Sequence, residues 1–386
     1  MEYTKLGHIA KIQTGPFGSQ LHQSDYKPSG IPCIMPCNIG SNLDIICDNI
    51  AYISEDDLNR LAKHKTQEGD IVYSRRGDIE KCAYISSKES GWLCGTGCLK
   101  VSIDNTVAIP KFIAYLLSTP DSKAWLVGNA VGTTMLNLNT TVLSDFPISL
   151  PDIETQQKVV DIIDAVADKI ELNKRINDNL EQQAQALYKS WFVDFEPFKD
   201  QEFVESEFGL IPEGWHCTTI SELLSIKYGK DHKKLAEGIV PVYGSGGLMR
   251  YVDTKLHEGE AVLIPRKGSL NNVMYVNEAF WTVDTMFYSI PKQEYSCIYA
   301  YLFLANKDLA SMNAGSAVPS MTTDILNSMH IIAPPVEVLK RFNNICDVYF
   351  SRINQNNIEN ANLSKQRDTL LPKLMSGELK INEIDC

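Results

Sequence analysis

Residues 186–198 read ALYKSWFVDFEPF, so that four aromatic side chains and a valine fall within positions 188–195. The stretch before them is rich in Glu, Gln and Asn. Within it Val159, Ile163, Val166, Ile170, Leu180, Ala184, Leu187 and Trp191 recur mostly at steps of three and four, which places them on one face of a helix. The spacing predicts a helix over residues 155–192, roughly 50 Å long at 1.5 Å per residue. A solitary helix of this composition is hard to hold in water, so its apolar stripe needs a partner.

Residues 338–371 supply one. Phe342, Ile345, Tyr349, Leu363, Leu370 and Leu374 mark a similar face, and two such helices lying together as a coiled coil bury both stripes. Asn173 and Asn177 interrupt the first stripe, Asn356 and Asn360 the second. Buried as pairs they hold register at a cost in stability; the alternative is that these turns bulge or face solvent. Phe192, Val193 and Phe195 fall outside a narrow heptad seam. They are expected to bury the helix end against a neighbouring domain or a docked partner protein.

The helices close two versions of one plan. GDIVYSRRGDIEKCAYIS at 69–86 aligns with GEAVLIPRKGSLNNVMYVN at 259–277 with one inserted residue, setting Arg75-Arg76-Gly77 on Arg266-Lys267-Gly268. NAVGTTMLNLNTTVLSDFPISLP at 129–151 matches NAGSAVPSMTTDILNSMHIIAPP at 313–335. A repeat of about 185 residues is too long for a solenoid unit and suits a duplicated domain. Short strands are expected at 70–74, 83–86, 261–265 and 272–276, helices at 109–117 and 297–304, and turns at 16–19, 28–32 and 244–247. The expected domains are residues 1–150 and 201–335, with spacer helices in 151–200 and 336–386.

At 386 residues the chain is long enough for two or three domains with cores of their own. No apolar run reaches transmembrane length, and the opening MEYTKLGHIA has no signal-peptide core. Ten cysteines without an export signal read as free thiols in a reducing cytoplasm, so a cytoplasmic protein with no membrane partner is expected. The net charge of −12 is spread out: 13 Lys and Arg against 15 Asp and Glu over 1–150, 6 against 11 over 151–200, 10 against 15 over 201–335, and 7 against 7 beyond. There is no basic tail or stripe, so a nucleic acid would have to be met by local patches or by positive surface borrowed from partners. Two similar domains on a stiff bar nonetheless suit a linear polymer, because domain separation becomes site separation. A bar of about 50 Å corresponds to roughly one and a half turns of DNA.

Catalytic signatures are lacking. The nearest approach to the N/D/S-P-P-aromatic motif of adenine methyltransferases, Ala333-Pro334-Pro335-Val336, lacks both the polar first residue and the aromatic. There is no GxGxxG on a strand-to-helix turn, no Walker A loop and no nuclease carboxylate–lysine cluster; YGSGG at 243–247 reads as a turn. Cys33 and Cys37, then Cys94 and Cys98, form C-x3-C pairs with Cys47 and Cys82 nearby, from which a four-thiolate zinc site can be built. The second domain lacks such pairs and buried thiols are the simpler reading, so no metal is expected.

With these motifs in view, the chain resembles the specificity subunit of type I restriction-modification systems over nearly its whole length. ALYKSWFVDFEPF and RDTLLPKLMSGELKI (367–381) resemble the signatures that close the two spacer helices of that family. KLGHIAKIQTGPFGS (5–19), YSRRG (73–77) and GLIPEGWHCTTISELL (209–224) resemble its recognition-domain motifs. The resemblance implies an α+β fold, with two similar mixed α/β target recognition domains separated by two long antiparallel coiled-coil helices. It implies a non-catalytic subunit that reads a bipartite, asymmetric double-stranded DNA target, one half-site per domain, with the helices setting the gap. Two methyltransferase subunits, which bind S-adenosylmethionine and methylate adenine N6, would dock on it. Restriction subunits would add ATP- and Mg-dependent translocation and cleavage, and the chain itself would hold no cofactor. One departure stands out: PDIETQQ at 151–157 is close to the family pattern, whereas PPVEVLK at 334–340 has Leu339 where glutamine is expected.

Base readout favours Arg, Lys, Asn and Gln at loop tips, with Ser, Thr and Lys positioning phosphate. In the first domain the candidates are Arg75 and Arg76, then Gln13, Ser19, Gln20, Thr133 and Thr134. In the second they are Arg266, Lys267, Asn271 and Asn272, with Lys230, Lys233, Lys234 and Arg250 as phosphate contacts. Each reads equally well as a solvated hairpin tip, and it is repetition that singles out Arg75, Arg76, Arg266 and Lys267. Helix and partner packing falls to Ile163, Val166, Ile170, Leu180, Leu187, Trp191, Phe192 and Phe195, and to Ile345, Tyr349, Leu363, Leu370 and Leu374. Two competing readings remain: a protein scaffold without DNA readout, and a stand-alone DNA-modifying enzyme. Sequence-dependent methylation of a bipartite site separates the first from a specificity module. Activity of the purified chain with S-adenosylmethionine or metal ion alone would identify the second.

Overall fold

The computed structural model describes residues 2–132, 136–312 and 320–379. It divides into two compact units, unit 1 of Met1–Leu172 with Glu359–Cys386 and unit 2 of Asn173–Ile358. Unit 1 begins with β1 (Glu2–Lys5), α1 (Leu6–Ile9), β2 (Ala10–Thr14), β3 (Ile31–Ile34), β4 (Ala51–Ile53) and α2 (Glu55–Arg60). It continues through β5 (Ile71–Ser74), β6 (Cys82–Tyr84), β7 (Leu93–Cys94), β8 (Cys98–Ile103), α3 (Pro110–Ser118), α4 (Pro120–Asn129), α5 (Thr140–Ser144) and β9 (Pro147–Leu150) to the long helix α6 (Ile153–Phe192). Strands β2-β8-β5-β6 form an antiparallel sheet, β4-β3-β7 a second sheet with β3 and β7 parallel, and β1 pairs with β9. All four residues of β5 are buried, as a central strand covered on both faces requires. Pro110 opens α3 at a position where a missing N–H costs nothing, and Phe112, Ile113 and Leu117 bury its apolar face.

Unit 2 contains β10 (Phe203–Ser206), β11 (Gly209–Pro212), β12 (His216–Thr219), α7 (Ile220–Leu223), β13 (Leu224–Tyr228), β14 (Val240–Gly244) and β15 (Gly247–Val252). These are followed by β16 (His257–Pro265), β17 (Met274–Thr282), β18 (Met286–Pro291), α8 (Ser296–Ala305), α9 (Thr323–Asn327), β19 (His330–Ala333) and the long helix α10 (Val336–Ser376). Its main sheet runs β13-β18-β16-β17-β14-β15. The first four strands repeat the order β2-β8-β5-β6 of unit 1, and the pair β12–β19 repeats β1–β9. The parallel contact of β14 with the end of β17 repeats that of β3 with β7. The sequence repeat at 69–86 and 259–277 is therefore β5–β6 against β16–β17. In unit 2 the longer β17 carries one sheet across ground that unit 1 divides between β6 and β7.

The two long helices pack antiparallel, start against end, in each unit. In unit 1 Val159, Val160 and Ile163 share a buried cluster with Leu371, Leu374 and Met375. In unit 2 Ala184, Tyr188, Trp191 and Phe192 share one with Leu339, Phe342, Cys346 and Phe350. Ile163, Ile170, Trp191, Phe192 and Leu374 are buried, while Val166, Leu180, Leu187, Tyr349, Leu363 and Leu370 are half-buried. Ile345 is a correction to the expected stripe, being 39% exposed. The buried face steps Leu339, Phe342, Cys346, Phe350, which leaves Ile345 about 100° round the helix from Cys346. The second helix also outruns its expected end at 371. It continues through Pro372, which removes a hydrogen bond, because the turn beyond carries Leu374 and Met375 into the core of unit 1.

The aromatic knot closes α6 onto unit 2 itself. Phe192 lies 4.6 Å from Tyr299, 4.7 Å from Phe342 and 5.8 Å from Trp215 between ring centroids. Phe195, three residues past the helix end and in the left-handed region at φ 53°, sets its ring 5.5 Å from Trp215 and 5.9 Å from Phe203. Val193 stays exposed. In the middle of the paired helices Asn356 Nδ2 donates to Asn177 Oδ1 at 2.7 Å and Asn177 Nδ2 donates to Asn357 Oδ1 at 2.9 Å. Asn173 and Asn356 are buried and Asn177 half-buried, so the layer packs between the helices at these positions and opens to solvent at Asn357.

Candidate nucleic-acid interface

The basic pair occupies the same turn in both units. In unit 1, Arg75 N donates to Gly97 O at 2.8 Å and Arg75 O accepts from Leu138 N at 2.9 Å. In unit 2, Arg266 N donates to Thr285 O at 2.9 Å and Arg266 O accepts from Met321 N at 2.9 Å. The second basic residue then forms an isolated bridge, Arg76 with Asn137 and Lys267 with Ser320. Gly77 and Gly268 follow at φ 78° and 85°, where a side chain would be strained. The next buried residue is Ile79 or Leu270, which pins the turn to the core.

This geometry gives the two basic residues different tasks. The first is half-buried and held: Arg75 Nε donates to Asn137 Oδ1 at 3.3 Å, whereas Arg266 Nη1 donates to Asp284 O at 3.1 Å and the guanidinium lies 5.5 Å over the Tyr228 ring. The second, Arg76 or Lys267, is exposed. A glycine fixes the neighbouring loop in each unit, with Gly15 N donating to Cys98 O and Gly229 N to Met286 O, both at 2.9 Å. A Cβ on either would stand 2.0 Å from a carbonyl, that of Gly95 or Val283, so only glycine allows the approach. Sequence reading did not single out this pair: Gly15 sits inside KLGHIAKIQTGPFGS while Gly229 lies in no such motif, and it is the matching ends of β2 and β13 that bring them into correspondence.

The remaining candidates separate into anchored and presented groups. Gln13 Nε2 donates to Lys63 O at 3.1 Å and contacts His64 Nδ1 at 3.2 Å, while Lys100, its partner in strand register, donates to Lys65 O at 2.7 Å. Two sheet side chains thus hold the backbone of 63–65 and leave Lys63 and Lys65 exposed. The run RLAKHK at 60–65 was the available signal, masked by the acidic triplet Glu55-Asp56-Asp57 before it. Ser19 is exposed and Gln20 half-buried in a short turn where Gln20 O accepts from Arg60 Nη1 at 2.6 Å. Thr133 and Thr134 lie outside the described residues.

In unit 2, Lys230, Lys233 and Lys234 are exposed on the loop before β14. Arg250 holds that loop from inside, donating to Leu235 O at 3.0 Å and to His232 O. Asn271 Nδ2 donates to Asp308 Oδ1 at 3.1 Å while its Oδ1 accepts from Ala310 N at 2.8 Å, and Asn272 Nδ2 donates to Ser245 O at 2.9 Å. These polar groups are already engaged in bracing loops.

Other features bound what the chain can do. Burial pushes the Cys33 and Cys94 thiols up to about 12, and Cys82 and Cys98 are also buried, while Cys37 and Cys47 are exposed. Among the described residues no group of three or more His, Cys, Asp or Glu side chains is placed to hold a metal ion. Among them, too, no helix is long and apolar enough to cross a membrane. Beside the aromatic knot, unit 2 has an open hollow of about 620 Å³ lined by Tyr188, Phe192, Val193, Phe195, Phe208 and Phe303.

The model of the type I restriction modification DNA specificity domain matches residues 1–182 and 212–363. The MjaIX type I restriction enzyme specificity subunit of Methanocaldococcus jannaschii is 25% identical over 396 residues, covering 93% of this chain and 89% of that one. The HindI specificity subunit of Haemophilus influenzae is 25% identical over 411 residues, covering 84% and 89%. In fold, the chain is similar to the crystal structure of the S subunit of a type I restriction-modification system from M. genitalium, with a TM-score of 0.58 at 17% identity over 97% of this chain and 96% of that one. The family match covers well over half of the chain, and the chain therefore belongs to the type I restriction-modification specificity subunits, the DNA-binding, non-catalytic members of those systems.

Proposed function

We propose that the chain recognises a bipartite, asymmetric DNA target, one half-site through residues 1–150 and the other through residues 201–335. The observation that carries this reading is the duplicated turn, with its first basic residue anchored and its second exposed in both units. An anchored turn beside a glycine offers backbone and a fixed cation to phosphate, and neighbouring loop tips reach the base edges. Methyltransferase subunits, holding S-adenosylmethionine, supply adenine-N6 methylation, and restriction subunits supply ATP- and Mg-dependent cleavage. The hollow beside the aromatic knot supports docking of such a partner, because its lining includes the exposed apolar side chains Val193 and Phe208.

Exchanging residues 201–335 for the recognition domain of another subunit, followed by genome-wide mapping of N6-methyladenine, tests the proposal. One half of the methylated motif is expected to change and the other to stay. A motif indifferent to the exchange, or no motif that depends on this chain, refutes it.

A further inference from the structure

The β14–β15 hairpin of unit 2 carries an apolar tip. Leu248 and Met249 are 51% and 57% exposed. Strand register explains how two consecutive residues come to be open together. Tyr243 pairs with Leu248 and Val242 with Arg250, so Met249 is an extra residue opposite the step between Val242 and Tyr243. Successive strand residues ordinarily alternate between faces, and a bulge breaks the alternation and re-aims side chains. Met249 lies along Gly244, where a Cβ would stand 2.5 Å from its Sδ. β15 is an edge strand, and an open apolar edge is a feature that folded proteins usually blunt with charge.

The tip is docked on the basic turn. A Cβ on Gly268 would stand 2.6 Å from Ser245 Oγ, and Asn272 Nδ2 ties down Ser245 O at 2.9 Å. Behind the tip, Arg250 clamps the lysine loop to β15, and Asp253 N donates to Ala236 O at 3.1 Å. Lys230, Lys233, Lys234 and Lys267 are therefore exposed on segments braced to this hairpin or its turn. Of the acidic residues in the loop, Asp231 accepts from Lys233 N at 3.0 Å and Glu237 is exposed. Apolar contact surface bordered by lysines fits a groove walled by phosphates. The polar candidates nearby, Asn271 and Asn272 for base edges and Arg250 for phosphate, are engaged inside the unit.

Resting on the reading of unit 2 as the domain for one half-site, we propose that Leu248 and Met249 are specificity-determining residues that read thymine through its C5 methyl group in the major groove. That methyl is the apolar feature of the major-groove edge, and it distinguishes T·A from the other pairs without a hydrogen bond. The lysines hold the flanking phosphates and contribute affinity without sequence information.

The test uses the chain in complex with its methyltransferase partners. Each thymine of the half-site that changes on exchange of residues 201–335 is replaced in turn by deoxyuridine, which lacks only the methyl. At one or two positions methylation by the native complex is expected to fall about fourfold, the ratio expected for one buried methyl. The double variant Leu248→Ala/Met249→Ala, altered at exposed positions, methylates thymine and deoxyuridine duplexes equally, whereas Lys267→Ala lowers both rates and keeps their ratio. The proposal is overturned if no deoxyuridine affects the native complex, or if the double variant keeps the thymine preference. Weakened subunit assembly with that preference intact would assign the tip to a protein partner and also overturn it. Absence of any bipartite methylation sinks the underlying reading as well, and is seen before a single thymine is replaced.

Discussion

His64 is 3% exposed, against Gln13 and the backbone of Thr14, and burial there, followed by the charge of Lys63, pushes its imidazole down to about 4. In the unfolded chain the group titrates near 6.5. Between those values the unfolded chain takes up a proton that the folded one refuses, so the contribution is intact above about pH 6.5 and stability is lost as pH falls toward 4. Complete titration corresponds to about 3 kcal/mol. Urea unfolding of unit 1 at a series of pH values should show this slope, and His64→Gln should flatten it; equal slopes in both proteins would contradict the assignment. Residue-level legibility was uneven for the same physical reason. Exposed Arg76 and Lys267 stood out by repetition, whereas the anchoring of Asn271, Asn272 and Arg250 depends on distant carbonyls and carboxylates that no local pattern reveals. Leu339 looked like a defect beside Gln156, which accepts from Ile109 N and donates to Pro151 O, both at 2.9 Å. The structure instead buries Leu339 in the aromatic cluster, so the two units solve one position by different chemistry.

The paired helices show what periodicity can and cannot supply. Steps of three and four located both stripes, yet Cys346 and not Ile345 carries the buried face, because two adjacent apolar residues leave the phase undecided until a partner chooses. The same helix runs on through Pro372, because burial of the following turn offsets the hydrogen bond that the proline removes. The asparagine layer is the sharpest test at this scale. Asn177→Leu leaves the buried Asn356 amide without its acceptor and should cost about 1–3 kcal/mol. Adding Asn356→Leu removes the orphaned amide, so the double variant should be more stable than the sum of the singles predicts. Strict additivity in chemical denaturation would mean that the two side chains do not support one another.

For the molecule as a whole, the alternation of domain and helix was legible because duplication writes the same turns and strands twice. The division of the fold was not. Unit 1 gathers residues from either side of unit 2 in the sequence, since the start of α6 packs against the end of α10. Such meetings across long sequence separations leave no local trace. They do impose an order of assembly during synthesis. Unit 2 is one continuous stretch and can complete its core once α10 has been made as far as residue 358, whereas unit 1 waits for Leu371, Leu374 and Met375 with its sheet already formed. A chain ended at residue 358 should therefore keep slow amide exchange in β16–β18 and lose protection around Val159 and Ile163. Equal protection of those two regions would show that unit 1 needs no late-arriving plug. On this account the first unit builds its sheet early yet is sealed last, by a helix end made only after the whole of the second unit.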